Sequence, residues 1–417
     1  MANVLVIGTG AREHAIAVTF LNSDQVETVY CVPGNSGMQS DGIQTVAISE
    51  KDFEKVALFA QQQQIDLVFV GPEAPLADGI VDFLMAKGLR VFGPKQEASK
   101  LESDKQFAKE FMKRHQVPTA DFASFKDFEQ AFSYAQQLSL PVVIKENGLA
   151  GGKGVQVVKE ADELAPALQD ALQKTDQILV EEYLDGEEFS LMLFFGGPEP
   201  VILPISQDHK KIYVGGTGPN TGGMGAYSPV PHITDEVIDQ VKQMVIIPIM
   251  AGLRQEKLMY AGTLYIGCML TNTGVKVIEF NVRLGDPEAQ ILLPQLESDF
   301  YTAITNLIVG KDPQMVWQNQ EYYLGTVVVA SGYPAVPKQH IALPDLPQNV
   351  FYAGVVEENG QLYSVGGRIF TLIAHASSLK EAQKRVNEAL EDFTIERILD
   401  FVTSRIEMGL CFIFYEL

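Results

Sequence analysis

Over the first 104 residues short apolar runs alternate with amphipathic stretches, and this alternation restricts the fold more than any other feature of the chain. The runs cover residues 4–7, 28–32, 45–48, 67–70 and 90–92, and turn residues or a helical pattern such as 53–63 follow them. Strand, helix, strand in succession predicts a mostly parallel sheet, whose ligands sit beyond the carboxyl ends of its strands. Those ends read Gly8-Thr9-Gly10-Ala11-Arg12-Glu13-His14, then Pro33-Gly34-Asn35, then Gly71-Pro72-Glu73-Ala74-Pro75. They are small, turn-forming and polar, as a phosphate or sugar pocket requires. The first is not a dinucleotide fingerprint: Glu13 stands where the third glycine belongs, and no acid closes the second strand at Val32-Pro33. What remains is a glycine turn opening a helix whose N-H groups favour anions, with Arg12 adding positive charge.

The 417 residues exceed one compact core and predict two to four domains. Apolar residues at 46% and charged residues at 20% mark a folded globular protein. A net charge of -22 excludes nucleic acid as the main partner, because phosphate backbones need basic stripes. Cys31, Cys268 and Cys411 form no CxxC pair, so neither a zinc site nor a disulfide framework is indicated and a reducing cytoplasm is expected. No signal-peptide pattern opens the sequence, and the apolar stretch near residues 244–251 is interrupted by Pro248, so no membrane segment is expected.

The segment Val277-Ile278-Glu279-Phe280-Asn281-Val282 alternates as a strand with both polar side chains on one face. A carboxylate beside an amide oxygen suits Mg²⁺, which takes one or two carboxylates plus substrate phosphates; a solvated strand face is the plain alternative. Arg283-Leu284-Gly285-Asp286 adds a cation and a second acid. Four glycines and a lysine in the loop 148–154 follow an apolar strand ending at Lys145. This is not a Walker loop, which needs glycine at Asn147 and serine or threonine at Gly154. Its backbone N-H groups can still close over phosphates neutralised by lysine, although a hairpin turn would also use one or two glycines. The acidic stretch Glu181-Glu182-Tyr183-Leu184-Asp185-Gly186-Glu187-Glu188 reads either as a hinge beside a nucleotide or as a solvated turn. Six glycines in Gly215-Gly216-Thr217-Gly218-Pro219-Asn220-Thr221-Gly222-Gly223-Met224-Gly225 predict a loop whose backbone approaches a ligand closely. His14 and His209 are read as polar contacts, and no hydrolase triad is evident.

These segments, together with Gln207-Asp208-His209-Lys210 and the continuation of the glycine-rich stretch to Pro229, resemble the phosphoribosylamine-glycine ligase family of the ATP-grasp superfamily over essentially the whole chain. The resemblance implies an α/β protein of ATP-grasp fold: an N-terminal Rossmann-like parallel domain (1–104), a central ATP-grasp domain (105–119 and 189–321), a mobile lid subdomain (120–188) and a small C-terminal α+β domain (322–417). It implies ligation of glycine to 5-phospho-D-ribosylamine at the expense of ATP, in de novo purine synthesis, by a monomer that binds neither nucleic acid nor membrane. By the same resemblance Lys105, Lys145, Gly151, Gly152 and Lys153 would contact ATP phosphates, Glu181, Glu182 and Leu184 the adenine, and Glu188, or Glu187, the ribose. Glu279 and Asn281 would hold Mg²⁺ or Mn²⁺. Gly10, Arg12, Glu13, Asn35, Glu73, Asp208, Asn220, Thr221, Gly222, Gly223, Met224 and Gly225 would surround the ribosylamine. Arg283, Gly285 and Asp286 would lie near glycine, with Lys145, Arg283 and Asp286 in catalytic roles; Asp286 is a base candidate by position alone.

Overall fold

The computed structural model describes residues 1–151, 154–213 and 217–391. The alternating N-terminal runs form β1 (Ala2–Gly8), β2 (Val26–Pro33), β3 (Gln44–Thr45), β4 (Leu67–Val70) and β5 (Val91–Phe92), a wholly parallel sheet ordered β3-β2-β1-β4-β5. Its central strands are apolar without alternation because helices cover both faces: Leu5 and Ile7 pack into one cluster, Val4 and Val6 into another. The strand order reverses between β1 and β4, so Gly8 and Gly71 end side by side at the crevice. Gly8 has φ +128°, and a Cβ on either glycine would strike the Glu13 side chain.

Residues 122–182 build a second unit: β6 (Phe122–Phe125), β7 (Val142–Glu146), β8 (Val155–Val158) and β9 (Ile178–Glu182) in the order β6-β9-β7-β8. Helices Phe128–Ala135 and Ala161–Lys174 cover it, and their apolar faces meet the sheet in a core of their own that includes Ala131, Ile144, Leu168 and Val180. Lys145 pairs with Val155 across antiparallel β7 and β8, so the glycine loop is the connection of a β-hairpin. Hairpin and ligand loop, set against each other as sequence readings, are thus compatible.

A four-stranded antiparallel sheet ordered β11-β10-β14-β15 follows, from β10 (Glu187–Phe195), β11 (Val201–Ile202), β14 (Gly262–Thr271) and β15 (Gly274–Asn281). The expected glycine-rich loop is instead largely a strand. β12 (Gln207–Tyr213) and β13 (Thr217–Ser228) join β16 (Tyr322–Val329), β17 (Val350–Tyr352) and β20 (Arg368–Ala376) in a sheet ordered β12-β13-β16-β20-β17. Residues 214–216 lie outside the described residues. Backbone pairing to two neighbours outweighs the poor strand propensity of glycine here: Gly225 pairs with both His209 and Thr326. This sheet also carries strands from both sides of the expected boundary at 321/322. A short ribbon of β18 (Val355–Glu358) and β19 (Gln361–Ser364) and the helix Leu379–Glu391 complete the described chain. Residues 392–417, the end of the expected C-terminal domain, lie outside the described residues.

The C-terminal strands are fastened to the parallel sheet. Tyr352 N donates to His14 Nδ1 at 2.9 Å, Asn35 Nδ2 donates to Tyr352 O at 3.0 Å, and the Tyr352 ring stacks on His14 at 5.8 Å between centroids. Among the described residues no helix is long and apolar enough to cross a membrane.

Candidate active site

A cavity of about 550 Å³, within the range of small-molecule sites, lies where these units meet. Its floor is β15, whose residues Ile278 to Asn281 line the cavity, while a register shift between Val277 and Glu279 breaks strict alternation and leaves Val277 in the core. At one end stand the hairpin connection (Gly148 to Gly151, and Gly154), Lys105, Lys109, Lys145 and Glu181. At the other stand Arg12, Glu73, Arg283, Asp286, Arg368 and the backbone of Asn220 to Gly222.

The first end is organised by lysines. Lys109 and Lys145 converge on Glu181 Oε2 at 2.8 and 2.9 Å, all three side chains almost fully buried. Burial pushes the Lys109 ammonium down to about 8 against the pull of Glu181. Burial works upward on Glu181, but Lys145 and Lys109 outweigh it and keep its carboxyl below the usual range. Lys105, on the first turn of helix Lys105–Arg114, donates from Nζ to Gly148 O at 2.6 Å, while Asn147 Oδ1 accepts from its backbone N at 2.7 Å. Burial lowers its pKa. Cations from a helix and a strand therefore flank the glycine loop, an arrangement suited to polyphosphate.

The second end is organised by arginines. Arg283 reaches Glu102 at 2.9 Å, Glu73 at 3.2 Å and Asn281 Oδ1 at 3.2 Å. Arg12 donates to Glu13 at 2.6 Å and to Leu284 O at 3.2 Å, and approaches Glu73 at 3.8 Å. Burial acts upward on Glu73, yet Arg283 and Arg12 hold its carboxyl at about 2. Glu102 is more deeply buried, and desolvation carries it up to about 7 in spite of Arg283. Arg368 donates to Asp286 Oδ2 and to Gly222 O, both at 2.5 Å, and Gln290 donates to Asp286 Oδ1 at 2.7 Å.

Glu279 suits a cation. Lys210, Lys145, Lys105 and Arg283 outweigh its burial and keep it ionised, yet among the described residues no hydrogen bond or ion pair occupies its carboxylate. No cluster of three His, Cys, Asp or Glu side chains with metal-ligand spacing occurs among the described residues. A metal here would depend on Glu279, Asn281 and the nucleotide's own phosphates, which is the Mg²⁺ habit.

Several expected contacts are placed elsewhere. Glu182 and Leu184 do not line the cavity; Glu182 turns outward to Lys276 at 2.6 Å. Glu187 also lies off it and meets His232 at 2.7 Å, whereas Glu188 lines it and pairs with Lys210. Gly10, Glu13 and Asn35 are spent on their own loops: Glu13 Oε2 accepts from Gly10 N at 2.8 Å, and Asn35 binds Thr9 O, Tyr352 O and Gly37 N. Met224 packs with Ile212, Val327 and Val329, and Gly225 is a ladder residue. Gly223, at φ +107°, leaves room for Pro287, whose Cδ would lie 2.5 Å from a Cβ there. Thr221 lines the cavity but turns its hydroxyl to Lys210 O at 2.8 Å. Asp286 is held below the usual carboxylate range, its burial outweighed by Arg368 and Arg12, which makes it a weak base. Gly152 and Lys153 lie outside the described residues. The sequence reading missed Glu102, Lys109, Glu288 and Arg368. The first two announce themselves as charges on apolar helix faces, Lys109 beside Ala108 and Met112; Arg368 carries no local signal.

Family models for phosphoribosylglycinamide synthetase match successively: the N domain over residues 2–102, the ATP-grasp (A) domain over 103–289 and the C domain over 323–399. The phosphoribosylamine-glycine ligase of Lactococcus lactis subsp. lactis is 47% identical over 392 residues, covering 93% of this chain and 95% of the relative. The crystal structure of the Thermotoga maritima phosphoribosylamine-glycine ligase superposes with TM-score 0.81 at 30% identity, over 94% of this chain and 96% of that one. A biotin carboxylase domain from Hydrogenobacter thermophilus, solved with MgADP and bicarbonate, matches with TM-score 0.73 at 18% identity, over 94% and 90% of the two chains, and shares the fold alone. The chain belongs to the phosphoribosylglycinamide synthetase family, the phosphoribosylamine-glycine ligases of ATP-grasp architecture.

Proposed function

We propose that the chain joins glycine to 5-phospho-D-ribosylamine, converting ATP to ADP and phosphate and forming N1-(5-phospho-D-ribosyl)glycinamide for de novo purine synthesis. The observation that carries this reading is one cavity with a lysine-flanked glycine hairpin at one end and a ring of arginines at the other, joined by the Glu279/Asn281 strand.

A carboxylate is a poor electrophile, so glycine needs a better leaving group before an amine can displace it. Transfer of the terminal phosphoryl of ATP to the glycine carboxylate gives glycyl phosphate, and the amine then attacks its acyl carbon. Lys105, Lys145 and the hairpin 147–154, including Gly151, Gly152 and Lys153, would hold the phosphates; Glu181 would set the two buried lysines, and Glu188 would meet the ribose. Glu279 and Asn281 would hold Mg²⁺ or Mn²⁺, which supplies charge neutralisation at the transferring group. Arg283 and the Gly285 backbone would position glycine, and Arg12, Glu73, Asp208 and residues 220–222 the ribosylamine. Acyl phosphates hydrolyse, so water has to be excluded; residues 120–188 would act as the lid that does so. The working unit is taken to be a cytoplasmic monomer.

ADP release measured with ATP, Mg²⁺ and fresh phosphoribosylamine tests the reading. Release requiring both glycine and the amine supports it; release driven by bicarbonate without glycine would make the chain a carboxylase instead. Glycine labelled with ¹⁸O in the carboxyl group has to deliver label to inorganic phosphate if the intermediate is correct.

A further inference from the structure

The ligation scheme leaves one proton without an acceptor: the one the amine nitrogen sheds as it becomes an amide. We propose that Asp208 is the general base that takes it, an inference that rests on the ligase reading above.

The argument begins with the acids around the cavity. Glu73 and Glu102 are bound by arginine, and Glu102 also accepts from Val282 N at 2.8 Å. Glu181 is shared by two lysines, Glu188 is paired with Lys210, and Asp286 is held by Arg368 and Gln290. Glu288 accepts from the Ser190 hydroxyl at 3.0 Å, and Glu279 faces the position assigned to the metal. Asp208 differs from all of these. Its side chain is 6% exposed and lines the cavity, its nearest cation is Lys210 Nζ at 3.9 Å, and among the described residues no hydrogen bond reaches its carboxyl group. A buried carboxylate without a hydrogen bond costs stability unless something else uses it.

Its surroundings also suit a base that works on nitrogen. Burial raises the Asp208 pKa well above the carboxylate range; Lys210 on its own strand opposes this, while Glu288, Glu188 on β10 and Glu279 on β15 add to it. The Tyr265 hydroxyl on β14 faces the same group and is itself pushed upward by burial. A carboxylate with heightened proton affinity is better matched to an amine proton than the acid-shifted Asp286. In the step itself the nitrogen lone pair forms the C–N bond. The C–O bond to phosphorus breaks, its electron pair leaves with inorganic phosphate, and the N–H proton passes to an Asp208 oxygen. Lys210 stabilises the ionised carboxylate beforehand and is a positioning residue for it.

Hydroxylamine separates this step from glycine activation, because it traps glycyl phosphate as the hydroxamate without needing a base. The experiment compares amide formation from phosphoribosylamine with hydroxamate formation from hydroxylamine, both with ATP, Mg²⁺ and glycine, across pH. Asp208→Asn should lower the amide-to-hydroxamate ratio by about 10²-fold or more, and Asp208→Glu should keep it within about tenfold of the parent. In the unaltered protein that ratio should fall on the acid side as a single group protonates, and Asp208→Asn should lack the fall. Equal loss of both activities, or an unchanged ratio, overturns the proposal. A flat ratio in the unaltered protein overturns it without any variant. Absence of hydroxamate formation by the unaltered protein would instead remove the ligase reading itself, and the assigned base with it.

Discussion

The unit spanning residues 122–182 and the C-terminal strands both border the cavity, yet they are attached to the molecule by opposite means. The first has its own apolar core and meets the rest through polar contacts: Lys109 to Glu181, Lys105 to Gly148 O, and Lys276 to Glu182. The C-terminal strands share two clusters with the parallel sheet, Leu372 and Phe370 in one and Phe351 and Ile373 in the other, and Tyr352 is clasped by His14 and Asn35. Polar contacts exchange for water at little net cost, whereas exposing apolar surface costs roughly 25 cal/mol per Å². Turning the first unit would leave its own core intact, whereas displacing the C-terminal strands would open two clusters shared with the parallel sheet.

The largest effect should come from the floor between the two. Glu279→Ala should lower turnover by at least about 10²-fold while leaving both units folded, and a near-normal rate would move the metal elsewhere. Next come matched core truncations at fully buried leucines. Leu168→Ala and Leu372→Ala should each cost about 2–5 kcal/mol, but in different transitions. Denaturation followed by limited proteolysis should show an early transition confined to residues 122–182 for Leu168→Ala, and a shift of the main transition for Leu372→Ala. If both shift one shared transition, the contrast between the units fails.

Acid provides a third test, aimed at the arginine end. Glu73 has a folded pKa of about 2 against an ordinary 4.5, so the unfolded chain binds the extra proton between those values. Its contribution is therefore complete above about 4.5 and is lost as pH falls towards about 2. Glu73→Gln should flatten the acid limb of the stability profile; an unchanged limb would mean that other carboxylates carry it. The smallest effect belongs to the half-exposed Lys276–Glu182 pair. Lys276→Ala should change stability by about 1 kcal/mol or less, and the KM for ATP by no more than roughly tenfold. A larger KM change would make this pair part of the closing device.

The parallel sheet was legible because strands buried on both faces print as uninterrupted apolar runs. β13 was not, because glycine density conceals a strand whose partners, β12 and β16, supply the hydrogen bonds that its side chains do not advertise. The shared cavity face of Glu279 and Asn281 was legible from their spacing along β15, whereas the ion pair that Arg368 makes with Asp286 was not, because Arg368 comes from a distant strand. Local pattern shows which groups face a cavity. Which of them are already occupied depends on residues brought from elsewhere in the chain.

The clasp between Arg368 and Asp286 also bears on how the molecule comes into being. Domains generally fold as units during synthesis, N-terminal first. The parallel sheet, the hairpin and the Glu279 strand all precede residue 282, whereas β17 and β20 follow residue 349. A nascent chain halted between those points could already have its nucleotide end while Asp286 still lacked its counter-charge. The ribosome would thus carry, for a time, a chain that has Arg12, Glu73 and Arg283 but not yet Arg368.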